Sequence, residues 1–262
     1  MSVFVRLSGD LPTFQKALFR NAVAAIAALC LLIKSHSFAI KKGCGLALLA
    51  RSVAGTVGIV CNFYAIDHMY VSDASLLGKL APFFSVIFSV FLLKEKAGWK
   101  DWLLVFIAFF GALFVVKPSF DLSKSIPALV GVLGALGAGL AYTFVRYLGG
   151  KGERSSVIVF YFSVFSTVAV LPMALADFQP MTTAQVVFLL LAGLMASIAQ
   201  FALTAAYSFA PAKEISVYDY SQVLFAAFWG VIFFSELPDW LSFIGYAIII
   251  GAALVKYFIS KK

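Results

Sequence analysis

A succession of apolar runs, each close to the length needed to cross a bilayer and separated by only a few polar residues, constrains this chain more than any other feature. The runs cover Phe14–Ile33, Gly45–Tyr64, Ala74–Leu93, Trp102–Val116, Ile126–Tyr147, Val157–Ala176, Ala184–Phe209, Ile215–Phe234 and Leu241–Ile259. A membrane-spanning helix takes about 20 apolar residues. The runs are continuous, whereas the strands of a membrane β-barrel alternate apolar and polar positions. The sequence therefore predicts an all-α polytopic membrane protein with nine full spans. Only 12% of the residues are charged, against about 25% in soluble domains, and the short loops leave no room for a soluble catalytic domain.

Two stretches have the same layout. Ser75–Trp102 places Lys79 near the start of an apolar run, Glu95 at its end and Trp99 four residues later. Ser216–Trp240 places Tyr220, Glu236 and Trp240 at the same intervals. Gly111-Ala112 and Gly251-Ala252 then close a further apolar run in each. The chain reads as one unit written twice, residues 1–120 and 121–262, each with five transmembrane helices. Five is odd, so the repeats are inverted, an arrangement typical of secondary transporters. In this scheme Met1–Leu7 are the last turns of a first helix whose beginning lies upstream; the alternative is a nine-helix protein with an outside N-terminus.

Thirteen Lys and Arg residues fall on one set of alternate loops and four, Arg6, Lys16, Lys117 and Lys124, on the other. The positive-inside rule puts the first set, and with it the C-terminus, in the cytoplasm. It also accounts for the net charge of +8 without nucleic acid. Cys30, Cys44 and Cys61 lie in or beside apolar runs without metal-ligand spacing and read as small buried hydrophobes. His36 and His68 flank separate loops. No hydrolase, kinase or metal motif is present, and no cofactor is expected.

Polar groups at membrane depth are costly unless they face protein or water, so they mark the candidate site. Arg51, Gly55, Gly58 and Asn62 share a helix face; the glycines admit a neighbouring helix, Arg51 is near enough to the cytoplasmic end to snorkel, and Asn62 lines a cavity or a packing seam. Ser197, Gln200, Thr204 and Tyr207 form a hydrogen-bonding stripe suited to a polar substrate, or to an interhelical ladder. Lys79 and Asp219 are the ionisable residues set deepest into the two repeated helices, with Ser75 beside the first and Tyr218, Tyr220 and Gln222 around the second. They either neutralise each other as an ion pair or bind charged groups of a substrate. Gly131, Gly134, Ala135 and Ala138 make a small-residue face that ends in Tyr142, another candidate contact. Glu95 and Glu236, before Trp99 and Trp240, read as interfacial anchors or hinge elements.

The segments GDLPTFQKALFRN, FYAIDHMYVSDASLLGKLAPFFSVIFSVFLLKEK and AYSFAPAKEISVYDYSQVLFAAFWGVIFFSE resemble the EamA-domain branch of the drug/metabolite transporter superfamily. The resemblance implies ten helices with both termini cytoplasmic and a central cavity formed largely by helices one, three, four, six, eight and nine. It implies a secondary carrier of the cytoplasmic (inner) membrane, working by alternating access on a small organic metabolite; Lys79 suits a carboxylate and the tyrosines with Asp219 suit a cationic or aromatic group, so the residues point to an amino acid or related zwitterion. Uptake of S-adenosylmethionine-like compounds and export of drugs or metabolites are the alternatives within the family. A membrane-embedded lipid enzyme and a non-transporting accessory subunit are the readings outside it. The partners expected are the substrate, membrane lipid, a coupling proton carried by Asp219, Glu214 or Asp67, and a second copy of the chain in a homodimer.

Overall fold

The computed structural model describes all residues except 36–37, 69–76, 117–124, 236–238 and 261–262. Expectations attached to His36, Ser75, Lys117, Lys124 and Glu236 thus concern residues outside the described set, as do those on the Asp67 side chain. Among the described residues the regular elements are all helices: α1 Ser2–Leu7, α2 Thr13–Lys34, α3 Gly45–His68, α4 Ala81–Leu93, α5 Trp99–Val116, α6 Ser125–Gly150, α7 Ser155–Ala176, α8 Thr183–Phe209, α9 Ala212–Tyr218, α10 Ser221–Phe234 and α11 Trp240–Ser260.

Seven segments of the described chain are long and apolar enough to cross a membrane, one of them running through α9 and α10. Of the other two expected spans, Ala74–Leu93 contains α4, a helix of 13 residues, and Trp102–Val116 falls within the 18-residue α5, whose first turn holds Lys100 and Asp101. Large apolar side chains stay exposed on these helices, Leu46, Phe91 and Phe209 among them, as lipid solvation permits. Cys44 is buried and Cys61 half-buried, but Cys30 is exposed on α2. The expectation of three buried cysteines fails there because Cys30 falls on the outward face of its helix, beside exposed Leu29 and Leu31.

The chain forms two compact units. Unit one comprises Met1–Thr56 and Phe144–Phe209. Its α2 is anchored by buried Gln15, whose amide donates to the Gln179 carbonyl at 3.0 Å and whose oxygen accepts from the Gln179 N–H at 3.1 Å. Close approach follows from missing side chains: a Cβ on Gly193 would lie 2.7 Å from the Val23 Cβ, and one on Gly149 would lie 2.4 Å from the Ser208 Cα. Next to that contact Arg146 donates to the Ser208 carbonyl at 3.2 Å, placing a cation on the last turn of α8, where the helix dipole is negative.

Unit two comprises Val57–Thr143 and Ala210–Lys262. Its core gathers Phe83, Leu104, Val105, Ala108, Val217, Tyr220 and Ile249. Gly58 and Gly134 bring α3 and α6 together, since a Cβ on either would meet the other's carbonyl oxygen at 3.1–3.2 Å. Two of the runs expected to be continuous are broken. Residues 79–80 turn before α4 begins, and residues 219–220 turn between α9 and α10. Pro82 explains the first break, since it has no N–H to give the Gly78 carbonyl and its ring crowds that turn. At both breaks the ladder tightens to i→i−3 bonds, Leu80 N–H to Leu77 and Tyr220 N–H to Val217. The helices beyond the breaks end alike, on the left-handed residues Lys94 (φ 56°) and Ser235 (φ 55°). Ser89 also donates to the Glu95 carboxylate past the end of α4.

Candidate functional site

The two helix breaks of unit two meet. Tyr220, fully buried, donates its hydroxyl proton to the Lys79 carbonyl at 2.9 Å. Asp219 is an electrostatic neighbour of both Lys79 and Tyr220. A cation, a carboxylate, a phenol and two irregular turns are thus assembled inside one unit. The sequence carries these residues on separate runs, and the fold joins them. Irregular backbone at membrane depth is tolerated where it lines a cavity or is covered by protein. Interrupted helices at corresponding positions of two halves are the usual address of a transporter's binding site.

The other expected residues of this unit divide by exposure. Asn62 and Tyr142 are half-buried, with the Asn62 amide nitrogen 3.4 Å from where a Gly78 Cβ would sit. Tyr218 is 39% exposed and Gln222 is exposed, whereas Tyr220 is buried. Beside the breaks runs a hydroxyl seam that the sequence does not single out. Ser85 donates to the Pro82 carbonyl at 2.8 Å, Ser216 lies 3.2 Å from the Ser85 hydroxyl, and Thr143 donates to the Gly139 carbonyl at 3.0 Å. Single hydroxyls in apolar runs carry no periodicity, so the sequence offers no signal for this seam.

In unit one the expected stripe is largely committed to its own helix. Ser197 donates to the Gly193 carbonyl at 2.7 Å, and the Gln200 amide to the Thr204 hydroxyl at 3.3 Å. Thr204 and Tyr207 are buried. A second polar cluster lies on α2, α7 and α8, where Arg20, Asn21, Phe162, Ser163 and Gln200 line a closed crevice. Arg51, 2% exposed, stacks its guanidinium 3.7 Å from the centroid of the Phe162 ring. Snorkelling does not describe a side chain so enclosed. Gly55 makes room for it, since a Cβ there would lie 2.4 Å from the Arg51 Nη1. Thr56 and Ser166 pair at 2.7 Å nearby. The Asn21 amide nitrogen and the Ser163 hydroxyl, on residues 2% and 1% exposed, have no hydrogen-bond partner in the protein. Each such group costs about 1–3 kcal/mol.

A third cluster closes one end of unit two. Buried Lys256 on α11 holds Asp101 at 2.7 Å, with Lys213 at 3.8 Å from the other carboxylate oxygen. The Gly98 N–H donates to the same carboxylate at 2.9 Å, and an open cavity of about 320 Å³ adjoins the group. Burial alone would raise the Asp101 carboxyl, but the hydrogen bonds from Lys256 and Gly98 and the two lysine charges outweigh it and hold it below the ordinary carboxylate value. Its stabilisation is therefore present above pH ~4 and lost as the pH falls through the depressed folded value. Lys256→Met is expected to lower stability by roughly 3 kcal/mol, as removal of one partner of a buried pair does. In Asp101→Asn the acid limb of thermal stability between about pH 5 and 3 is expected to flatten; a limb unchanged in that variant would place the titrating group elsewhere.

A family model described as the EamA-like transporter family matches residues 1–117 and 125–258. A pseudopaline exporter of Pseudomonas aeruginosa (strain UCBPP-PA14) is 34% identical over 94% of this chain and 87% of its own. An S-adenosylmethionine uptake transporter of Rickettsia prowazekii is 24% identical over 98% of this chain and 86% of its own. Human solute carrier family 35 member G1 is 26% identical over all of this chain and 77% of its own. One solved crystal structure superimposes with a TM-score of 0.85 over all of this chain and 93% of that one, at 15% identity, which is a likeness of fold. Seven apolar segments of spanning length among the described residues, a fold shared along the whole chain, and family matches covering nearly every residue lead to one assignment: this integral membrane protein belongs to the EamA-like transporter family of the drug/metabolite transporter superfamily.

Proposed function

We propose that the chain is a secondary carrier for a small polar organic metabolite, an amino acid or related zwitterion, and that Lys79, Asp219 and Tyr220 form the core of its substrate site. The observation that carries this is the meeting of two broken helices at an acid, a base and a phenol within one unit. A zwitterion presents one group to each charge: its carboxylate to Lys79, its ammonium to Asp219. Asn62, Tyr142, Tyr218 and Gln222 supply further hydrogen-bonding groups in the same unit. The carrier works by alternating access in the cytoplasmic membrane, with the C-terminus inside. Its finer architecture is two inverted five-helix repeats with nine full spans. That reading is supported by the matched breaks and by the left-handed residues 94 and 235, which keep the same separation as Lys79 and Tyr220.

The names of the relatives point to export in one case and uptake in another. Export is the direction we favour, because the exporter has the higher identity. Asp219 is the coupling-proton carrier in this scheme. Detergent-purified protein is expected to gain thermal stability with members of a zwitterion panel, since a ligand that binds only the folded state raises the melting temperature. The gain should vanish in Asp219→Asn and in Lys79→Ala. A panel that stabilises neither the parent nor these variants, or stabilises all three equally, counts against this site.

A further inference from the structure

The hydroxyl seam beside the two breaks of unit two has no part in the site as drawn above. Resting on the carrier reading, we infer that Ser85 and Ser216 fix the spacing of the two breaks, and through it the separation of positive and negative charge that a zwitterionic substrate must have. Both side chains are fully buried. Ser216 stands on α9 three residues before Asp219, and Ser85 stands on α4 six residues after Lys79. The Ser216 hydroxyl lies 3.2 Å from the Ser85 hydroxyl and 3.2 Å from the Pro82 carbonyl, which also accepts from Ser85 at 2.8 Å. One carbonyl at the start of α4 thus gathers a hydroxyl from each helix.

This joint and the Tyr220 bond to the Lys79 carbonyl cross-link the same two segments, 216 to 82 and 220 to 79, and bracket Asp219 along one of them. On its other side α4 is seated closely on α6: a Cβ on Gly139 would lie 2.8 Å from the Ser85 nitrogen and 3.0 Å from the Ala81 carbonyl oxygen. A substrate whose charges are too close together or too far apart must therefore leave one of them unmatched or strain the links. Hydroxyls suit a joint that also has to part during alternating access. The Ser216 proton has a second acceptor within its own helix, the Ala212 carbonyl at 2.5 Å, as Ser85 has Pro82 within α4. Each hydroxyl keeps a partner when the segments separate, so opening strands no buried polar group. Ser85 and Ser216 are positioning residues in this scheme, acting through Lys79 and Asp219.

Flux of glycine, β-alanine and γ-aminobutyrate in proteoliposomes of the full chain reads the spacing directly, because the ammonium and carboxylate stand progressively further apart in the three. The parent is expected to favour one of them by about tenfold or more in KM, the effect of one hydrogen bond to a charged group. Ser85→Ala and Ser216→Ala should each cut that preference to roughly threefold or less, and the double variant should cut it no further, since both hydroxyls serve one joint. Ile249→Val, in the contact of α11 with Gly111 of α5, loosens the unit away from the joint and should keep the full preference. A merely structural role for the serines would move melting temperature without moving the ratio of KM values. Preference retained in both serine variants, an equal loss in Ile249→Val, or a parent that takes all three probes alike or takes none would overturn the inference. The carrier reading is judged on the wider panel and on the Lys79 and Asp219 variants, so it can stand where the spacing claim fails.

Discussion

Replacing Gly149 by alanine is expected to be among the most disruptive single substitutions in unit one. The added methyl would lie 2.4 Å from the Ser208 Cα and 2.6 Å from the Ser208 carbonyl oxygen. Backbone atoms cannot rotate aside as a side chain can, so the end of α6 must move away from the end of α8. That movement would also stretch the Arg146 bond to the same carbonyl. Overpacking of this kind costs about 1–3 kcal/mol and occasionally more, and the loss of that bond puts Gly149→Ala at or above the upper end. The neighbouring glycine provides the control: a Cβ on Gly150 meets nothing within 4 Å. Gly150→Ala should be neutral or gain a few tenths of a kcal/mol from helix propensity. Thermal unfolding of both variants in one detergent checks the pair, and equal melting temperatures would refute the close contact.

The second large effect is on transport. Asp219→Asn and Lys79→Met each remove one charge from the meeting point of the two breaks. A hydrogen bond to a charged group contributes about 1.5–3 kcal/mol, so each variant should lose roughly ten- to a hundredfold in transport efficiency for a zwitterion. The two losses should not add, because either variant leaves the remaining charge without its electrostatic neighbour. Tyr220→Phe is predicted to behave differently. It removes the hydroxyl that holds the Lys79 carbonyl, with a cost in stability of about 1–3 kcal/mol, and it leaves both charges in place. Transport by Tyr220→Phe should therefore fall less than in the charge variants.

Much of this architecture is legible in the sequence because the bilayer imposes a simple length rule. Apolar runs near 20 residues with charged loops between them admit few readings. The spacing of Lys79, Glu95 and Trp99, set against that of Tyr220, Glu236 and Trp240, displays the repeated layout in the amino-acid order alone. Hydropathy does not reveal the helix breaks. Pro82 announces the first once its missing N–H is considered. The second, at Asp219–Tyr220, has no proline and becomes visible only through the hydrogen bond from Tyr220 to the Lys79 carbonyl, a contact between residues 141 positions apart.

The candidate site is legible to a similar degree. Lys79 and Asp219 stand out as charges in apolar runs, and in the fold they are electrostatic neighbours. The crevice of unit one does not read as one cluster in the sequence, because its members are split among three helices. Arg20 and Asn21 sit in the opening turns of α2 and resemble end-of-helix polarity, while Ser163 is one hydroxyl in the middle of α7. Arg51 has the depth of a snorkelling residue, yet it is 2% exposed and stacked on Phe162. A sequence gives depth along a helix; burial around the helix depends on which neighbour covers that face.

The most direct test of the central claim is solute movement across a membrane by the purified chain. In proteoliposomes loaded with a labelled zwitterion panel, the account predicts saturable flux of at least one member, abolished or reduced at least tenfold in Asp219→Asn and Lys79→Met. Flux indistinguishable from protein-free liposomes for every member of the panel, or flux fully retained in both variants, would contradict it.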